Sequence, residues 1–196
     1  MRTGGSMPHA EAMRLSSHLL ALLLCLPLAA LAGGQPLRVV DSVDLKRYAG
    51  RWYEAAKLPN RFQDHCVADV VAHYALRADG RVDVVNRCRT AGGQMDEARG
   101  VARKAGDGTN NARLEVRFAP AILSFLPAVW GDYWIIGLGP EYTWAVVGSP
   151  SRKYLWILSR TPEMTATSYE RAVEIARGSG FDVTRLVRTT NTSQAQ

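Results

Sequence analysis

The sequence has few of the residues and motifs on which enzyme chemistry depends. Beyond residue 32 its only histidines are His65 and His73, and no serine lies in a Gly-x-Ser-x-Gly turn. A Gly-x-Gly-x-x-Gly run is also absent. His65 is followed by Cys66, but no second pair has the spacing of metal ligands. We therefore predict no catalytic residues, no metal and no cofactor; an enzyme that uses Tyr74, Tyr133 or His65 is the weaker alternative.

Acidic residues are in the minority. The chain has 24 Lys and Arg against 18 Asp and Glu, which gives a formal net charge of +6. The basic residues are scattered and form no nucleic-acid-binding motif, so we expect no nucleic-acid partner. A mild positive charge favours anionic surfaces or ligands, although a solvated arginine-rich face gives the same composition.

The longest apolar run, residues 19–31, is too short for a transmembrane helix. Arg14 precedes it and Ala30-Leu31-Ala32 offers a small-residue cleavage site, so residues 1–32 are predicted to be a secretory signal peptide. Cys25 would anchor the protein if it were lipidated, but the preceding Leu24 is larger than lipidation requires. We expect a soluble exported protein that starts with a loose N-terminal arm, residues 33–42.

Cysteine is scarce, and only Cys66 and Cys88 remain once the signal peptide is removed. An even number in an oxidising compartment permits one disulfide. In a regular hairpin around Asp79-Gly80, however, Cys88 lies opposite Val70, which leaves an offset of about 13 Å at strand rise. The Cα atoms of a disulfide lie within roughly 7 Å of each other. A disulfide that needs a bulge near Cys66 and two separate thiols therefore stay open as alternatives.

Short segments with alternating apolar residues recur between turn signals such as Asp79-Gly80. They predict eight strands, at about 51–58, 67–76, 82–87, 95–105, 113–118, 133–138, 144–148 and 154–159. A helix is predicted over 167–177, introduced by Thr161-Pro162-Glu163. Residues 181–183 are predicted to form a short edge strand, and 189–196 a disordered tail.

Large side chains mark the first and the last predicted strand of a domain that spans residues 43–188. Gly50-Arg51-Trp52 opens the first strand, and Arg160 follows the last. In an antiparallel barrel these two strands meet, and the arginine can then lie over the Trp52 indole and close the base. The pattern therefore predicts an all-β domain closed into a barrel.

Gly50-x-Trp52 together with Arg160 resembles the signature of the lipocalin family, and Gly131-Asp132-Tyr133 resembles one of its internal motifs. Residues 154–162 and 180–183 are similar to bacterial lipocalins of the outer-membrane Blc type, which are apolipoprotein D-like. The resemblance covers residues 43–187. It implies an eight-stranded up-and-down antiparallel β-barrel with one C-terminal α-helix packed outside, and structural roles for Gly50, Trp52 and Arg160. It also implies the periplasm of a Gram-negative bacterium, with an outer-membrane anchor if Cys25 is lipidated.

Alternation places small and apolar residues on the inner face of the predicted barrel. Eight-stranded barrels are either filled or hold one small ligand. The resemblance implies a ligand, either a fatty acid or a lysophospholipid, held for storage, transport or repair of envelope lipids. A tetrapyrrole or an isoprenoid is the alternative ligand. The predicted ligand-binding residues are Ala56, Val70, Ala72, Tyr74, Val84, Asn86, Ala102, Leu114, Val116, Tyr133, Ile135, Val147 and Trp156.

The loop from Ile122 to Trp130 is apolar where polar residues are expected. Three interpretations stay open: a lid over the mouth, a patch that contacts a membrane, and the surface of a homodimer. Lys57, Arg61 and Lys104 are predicted to lie near the rim, where they could pair with an anionic head group.

Overall fold

The eight segments predicted as barrel strands do form strands in the structure, a computed structural model that describes Met1 and residues 35–192. Residues 2–32 of the predicted signal peptide and the last four residues lie outside the described residues. The α-helices are α1 (Leu45–Tyr48) and α2 (Ala166–Gly178). The strands are β1 (Gly50–Lys57), β2 (Cys66–Leu76), β3 (Val82–Thr90), β4 (Met95–Lys104), β5 (Arg113–Arg117), β6 (Gly131–Leu138), β7 (Trp144–Gly148), β8 (Leu155–Ser159) and β9 (Val187–Arg188).

Strand β1 closes the sheet into a barrel because it pairs with both β2 and β8. Consecutive strands from β2 to β8 are antiparallel neighbours. Trp52 lies opposite Ala72 of β2, and Tyr53 lies opposite Ser159 of β8. The predicted eight-stranded up-and-down barrel is confirmed, and the short strand β9 is added beside β1.

The barrel has a closed end and an open end. At the closed end, α1 lies against the turns that follow β4 and β6: the Asn111 side chain donates to Val43 O, and the Tyr142 hydroxyl accepts from Asp44 N. The open end carries the connections that follow β1, β3, β5 and β7. Because Lys104 ends β4 at the closed end, its predicted position at the rim is wrong.

Helix α2 packs on the outside of the barrel through small residues. Ala172 and Ala176 are fully buried in a cluster, here called the outer core, that also contains residues of β1, β6, β7 and β8. The helix begins after Thr165, whose side chain accepts a hydrogen bond from Ser168 N at 3.3 Å. The predicted start at Thr161-Pro162-Glu163 is therefore too early, because Thr165 supplies the cap.

Both ends of the described chain pack against the barrel, which corrects two predictions. The described part of the N-terminal arm, residues 35–42, is not loose: Leu37 is 3% exposed, and Val40 N donates to Ile135 O at 3.0 Å. The tail is ordered as far as Thr192, which binds Asp69 through both its backbone N–H and its hydroxyl. Both segments gain backbone hydrogen bonds that their composition does not reveal.

The predicted edge strand at 181–183 is also wrong. Phe181 is buried in the outer core, and Val183 begins a short 3₁₀ turn that ends at Arg185. The edge strand is β9 instead, and Val187 lies opposite Lys57 of β1.

Candidate ligand-binding cavity

The barrel encloses a cavity of about 670 Å³ that reaches the loops of the open end. Its wall is mainly apolar. Ten of the thirteen predicted ligand-binding residues line it: Val70, Ala72, Tyr74, Val84, Asn86, Ala102, Leu114, Val116, Tyr133 and Trp156. The Asn86 Oδ1 atom is buried without a hydrogen-bond partner in the described part of the chain, so it offers an acceptor to a ligand.

The other three predicted wall residues do not reach the cavity. A register shift between Glu54 and Ala56 places both Ala55 and Ala56 in the outer core, whereas Glu54, which precedes the shift and alternates with Trp52, lines the cavity. Ile135 and Val147 are fully buried in a second cluster of core residues, which also contains Tyr48 and Trp52. A bulge changes which residues face inward, and strict alternation cannot foresee it.

Three tyrosines form a hydrogen-bonded chain deep in the barrel. The Tyr133 hydroxyl lies 2.8 Å from the Tyr48 hydroxyl and 2.9 Å from the Tyr74 hydroxyl. Burial raises the pKa of Tyr74 to about 12 and holds the pKa values of Tyr48 and Tyr133 well above their usual range. At neutral pH the three phenols are therefore uncharged and able to donate hydrogen bonds.

The predicted signature residues meet beneath the cavity. The Arg160 guanidinium lies 3.8 Å from the centre of the Trp52 ring, and it donates to Arg51 O at 2.8 Å and Arg47 O at 2.7 Å. Trp52 is fully buried, and its Nε1–H donates to Tyr48 O at 2.8 Å. Gly50 has a φ of +95°, a conformation that glycine adopts without strain. These contacts close the base of the barrel.

A polar network that was not predicted lines the cavity near the loop that follows β1, at the open end. Glu54 is 2% exposed and accepts from the Gln63 amide at 2.8 Å and the Thr189 hydroxyl at 2.5 Å. Gln63 Oε1 accepts from the Trp156 indole at 2.7 Å. Lys57 Nζ lies 3.2 Å from Glu54 Oε1, so Lys57 pairs with the chain itself rather than standing free at the rim.

Cys66 and Cys88 form a disulfide in the structure, and their Cα atoms are 5.6 Å apart. Two register shifts between β2 and β3, on either side of Ala68, remove the offset that a regular hairpin imposes. Asp69, with a φ of +51°, lies within the second shift. His65, Cys66, Cys88 and Asp96 all line the open end of the cavity.

Exposed apolar side chains gather at the open end. Met1 aside, every large apolar residue that is exposed in the described part of the chain lies on a loop or strand end there: Phe62, Val67, Met95, Phe118, Ile122, Phe125, Leu126 and Val187. Ile122 is 80% exposed and Phe125 is 74% exposed. Arg103 and Arg117 lie over the ring of Trp130, at the end of the same loop.

Comparison with known proteins gives the family. The model of the lipocalin-like domain matches residues 43–191. The chain belongs to the lipocalin family. It is 41% identical over 154 residues to temperature-induced lipocalin-1 of Arabidopsis thaliana, covering 78% of this chain and 82% of that one. It is 37% identical over 150 residues to the outer membrane lipoprotein Blc of Escherichia coli K12, covering 76% and 80%.

Further similarities are to an animal protein and to two solved structures. Apolipoprotein D of Mus musculus is 30% identical over 159 residues, with 77% of this chain and 78% of that one covered. Insecticyanin from Manduca sexta has a TM-score of 0.63 at 18% identity, covering 81% and 86% of the two chains. Apocrustacyanin C2 has a TM-score of 0.62 at 17% identity, covering 76% and 81%. These structures support the fold alone.

Membership of this family, with Blc and apolipoprotein D among the relatives, indicates that this lipocalin binds a small hydrophobic ligand. The relatives described above carry the names of lipocalins, a lipoprotein and an apolipoprotein rather than of enzymes. No helix among the described residues has the length and apolar character of a membrane span.

Proposed function

We propose that this lipocalin holds the acyl chain of a fatty acid or lysophospholipid in its barrel, for storage, transport or repair of envelope lipids. The cavity is the observation that carries the proposal. Its volume of about 670 Å³ lies within the range of roughly 300–1,000 Å³ that is typical of small-molecule sites. Its mainly apolar wall matches an acyl chain, because each buried methylene contributes about 0.8 kcal/mol.

The polar groups suggest how such a ligand would be oriented. Arg61 is an exposed cation on the cavity lining at the open end, where an anionic head group would remain partly hydrated. The uncharged tyrosine chain and the free Asn86 Oδ1 lie inside, where they carry no charge to attract a carboxylate. We therefore propose that the acyl tail enters first and that the head group stays near Arg61.

A cavity-filling substitution tests this proposal. Ala98 on β4 and Ala75 on β2 are both exposed, but only Ala98 lines the cavity. Ala98→Phe should weaken fatty-acid binding by about tenfold or more, which corresponds to roughly 1.4 kcal/mol, and Ala75→Phe should leave it unchanged. Fluorescence titration with a fatty acid measures both. Equal affinities in the two variants would contradict binding inside the barrel.

The same titration separates the candidate ligands. Fatty acid, lysophospholipid, tetrapyrrole and isoprenoid are compared on the parent protein under one set of conditions. The proposal expects the two acyl lipids to bind more tightly than the two alternatives. If a tetrapyrrole or an isoprenoid binds more tightly and Ala98→Phe weakens that binding, the cavity remains the proposed site and only the proposed ligand changes.

We also propose that the open end touches a lipid surface while the ligand enters or leaves. The exposed Ile122 and Phe125 on this end, together with the exposed cation Arg61 at the same end, match an anionic membrane interface. Ile122→Ser with Phe125→Ser should abolish co-flotation with phosphatidylglycerol vesicles, and Ile122→Leu with Phe125→Leu should preserve it. Flotation that survives the serine changes would contradict this contact. A parent protein that sediments as a dimer and a serine variant that sediments as a monomer would assign the surface to a homodimer.

For the compartment, we propose a soluble periplasmic protein that begins at Gly33. The mass of the chain recovered from its own cell tests this directly. A mass that corresponds to residues 33–196 supports the proposal, whereas a lipid-modified Cys25 at the N-terminus would show an anchored lipoprotein.

A further inference from the structure

A cluster of metal-binding side chains surrounds the disulfide at the open end. His65 Nε2 lies 3.6 Å from Cys66 Sγ and 2.9 Å from Asp96 Oδ2. The ligand atoms of His65, Cys66 and Cys88 all lie within 4.8 Å of one another. In sequence Cys66 and Cys88 are separated by 22 residues, so only the pairing of β2, β3 and β4 gathers the group.

We infer that reduction of the Cys66–Cys88 disulfide converts this cluster into a Zn²⁺ site. Its donors are the two thiolates and His65 Nε2, and an Asp96 oxygen or a water molecule completes a four-coordinate set that suits Zn²⁺. While the disulfide is intact, the two sulfurs are bonded to each other and form no thiolate. The inference is independent of which ligand fills the barrel.

The reduction is an ordinary thiol–disulfide exchange with a dithiol reductant. One thiolate of the reductant attacks a sulfur of the disulfide, and its second thiol releases the mixed disulfide. Two electrons pass to the protein, which gains two thiols, and the reductant leaves as its own disulfide. When Zn²⁺ binds, the Cys66 and Cys88 thiols give up their protons to solvent.

The strand geometry already holds the donors close to their positions. The two cysteine Cα atoms are 5.6 Å apart, and Asp96 on β4 lies directly opposite Cys88 on β3. A tetrahedral site requires Zn–S distances of about 2.3 Å and Zn–N distances of about 2.0 Å, so the sulfurs must separate. Rotation of the two side chains provides that separation without moving the strands.

A second carboxylate lies near the other ring nitrogen of the histidine, just beyond hydrogen-bond distance, and could orient the ring once Nε2 binds a metal. Asp64 Oδ1 lies 3.7 Å from His65 Nδ1, the ring nitrogen that remains free when Nε2 binds a metal. A carboxylate that accepts from the free ring N–H fixes the tautomer of a metal-binding histidine. His65 and Asp96 are also about half exposed, so an ion can reach the site from solvent.

Titration with Co²⁺, a spectroscopic substitute for Zn²⁺, tests the inference on the full chain carrying Cys25→Ser, so that Cys66 and Cys88 are the only thiols. The dithiol-reduced protein should bind one Co²⁺ with a thiolate charge-transfer band and the visible bands of a tetrahedral ion. Zn²⁺ should displace it and protect both thiols from alkylation. The oxidised protein should show none of these signals.

Variants separate this site from incidental binding. His65→Gln should lose the tetrahedral spectrum, and Asp64→Asn should weaken binding by about tenfold, as expected for an orienting group. His73→Gln, at an exposed histidine elsewhere on β2, is the matched control and should bind as the parent does. A reduced protein that binds no Co²⁺, or equal binding by His65→Gln and His73→Gln, would overturn the inference.

Discussion

The two ends of the barrel differ in how their polar groups are paired and in how much apolar surface they expose. At the closed end, Arg160 and Trp52 direct their donors to backbone carbonyls, and the Trp52 ring is fully buried. At the open end, Ile122 and Phe125 expose apolar surface to solvent. Internal bonds favour stability, whereas exposed apolar surface around a cavity favours contact with other molecules. One sheet thus combines a structural base with an accessible mouth.

Truncating Trp52 should have the largest effect on stability. Trp52→Ala removes a fully buried ring and its contact with Arg160, so the free energy of unfolding should fall by roughly 3–5 kcal/mol. Trp156→Ala, in the cavity wall, is the matched control and should chiefly weaken lipid binding. Urea unfolding and lipid titration of both variants measure the contrast. A loss of less than about 1 kcal/mol for Trp52→Ala would contradict the structural role of the closed end.

Removing the disulfide tests stability at the open end. Cys66→Ser with Cys88→Ser releases a link that spans 22 residues, which should cost about 3 kcal/mol of unfolding free energy in metal-free buffer. Reduced parent protein should show a similar loss when zinc is chelated. Urea unfolding of oxidised parent and double variant provides the measurement, and identical midpoints would mean that the link does not form.

Replacing Arg160 by lysine separates charge from geometry at the closed end. Arg160→Lys keeps the cation over Trp52 but cannot reproduce the separate bonds to Arg51 O and Arg47 O. The expected loss of unfolding free energy is about 2 kcal/mol, the scale of a charged hydrogen bond. Lipid affinity should be unchanged. Full stability in the lysine variant would assign the effect to charge alone.

The pH dependence of the tail should be the smallest effect. Burial alone would raise the pKa of Asp69, but hydrogen bonds from Thr192 and Arg89 lower it. The ionised carboxylate therefore stabilises the folded state above its unfolded pKa of about 3.9, and this contribution is lost as the pH falls through the lower folded value. The protection factor of the Thr192 amide against hydrogen exchange should fall over that range.

Asp69→Asn should show faster exchange at Thr192 throughout, with a cost of about 1 kcal/mol. Asp79→Asn, at an exposed carboxylate on the β2–β3 turn, is the control and should leave the exchange at Thr192 unchanged. A protection factor at Thr192 that does not change with pH in the parent would show that ionised Asp69 does not hold the tail.

Local patterns predicted most of the fold because each strand alternates over several residues and each turn carries its own signals. The fifth strand and the Gly50, Trp52 and Arg160 signature are examples, since the relevant residues are adjacent or lie at the ends of recognisable strands. The confirmed barrel and family follow from these features.

Register shifts limited what could be predicted of the site. The shift after Glu54 removes Ala56 from the inner face, and the shifts around Ala68 bring Cys66 to Cys88. A bulge depends on pairing with another strand, so it leaves no alternation signal of its own. The packing of the tail against the barrel was not predicted either, because Asp69 and Thr192 are distant in sequence.

The most direct test of the central claim is native mass spectrometry of the protein purified from its own cell, with lipid extraction alongside. The proposal expects a fatty acid or lysophospholipid at close to one molecule per barrel, lost in the Ala98→Phe variant and kept in Ala75→Phe. An empty barrel that also ignores added acyl lipids would contradict it.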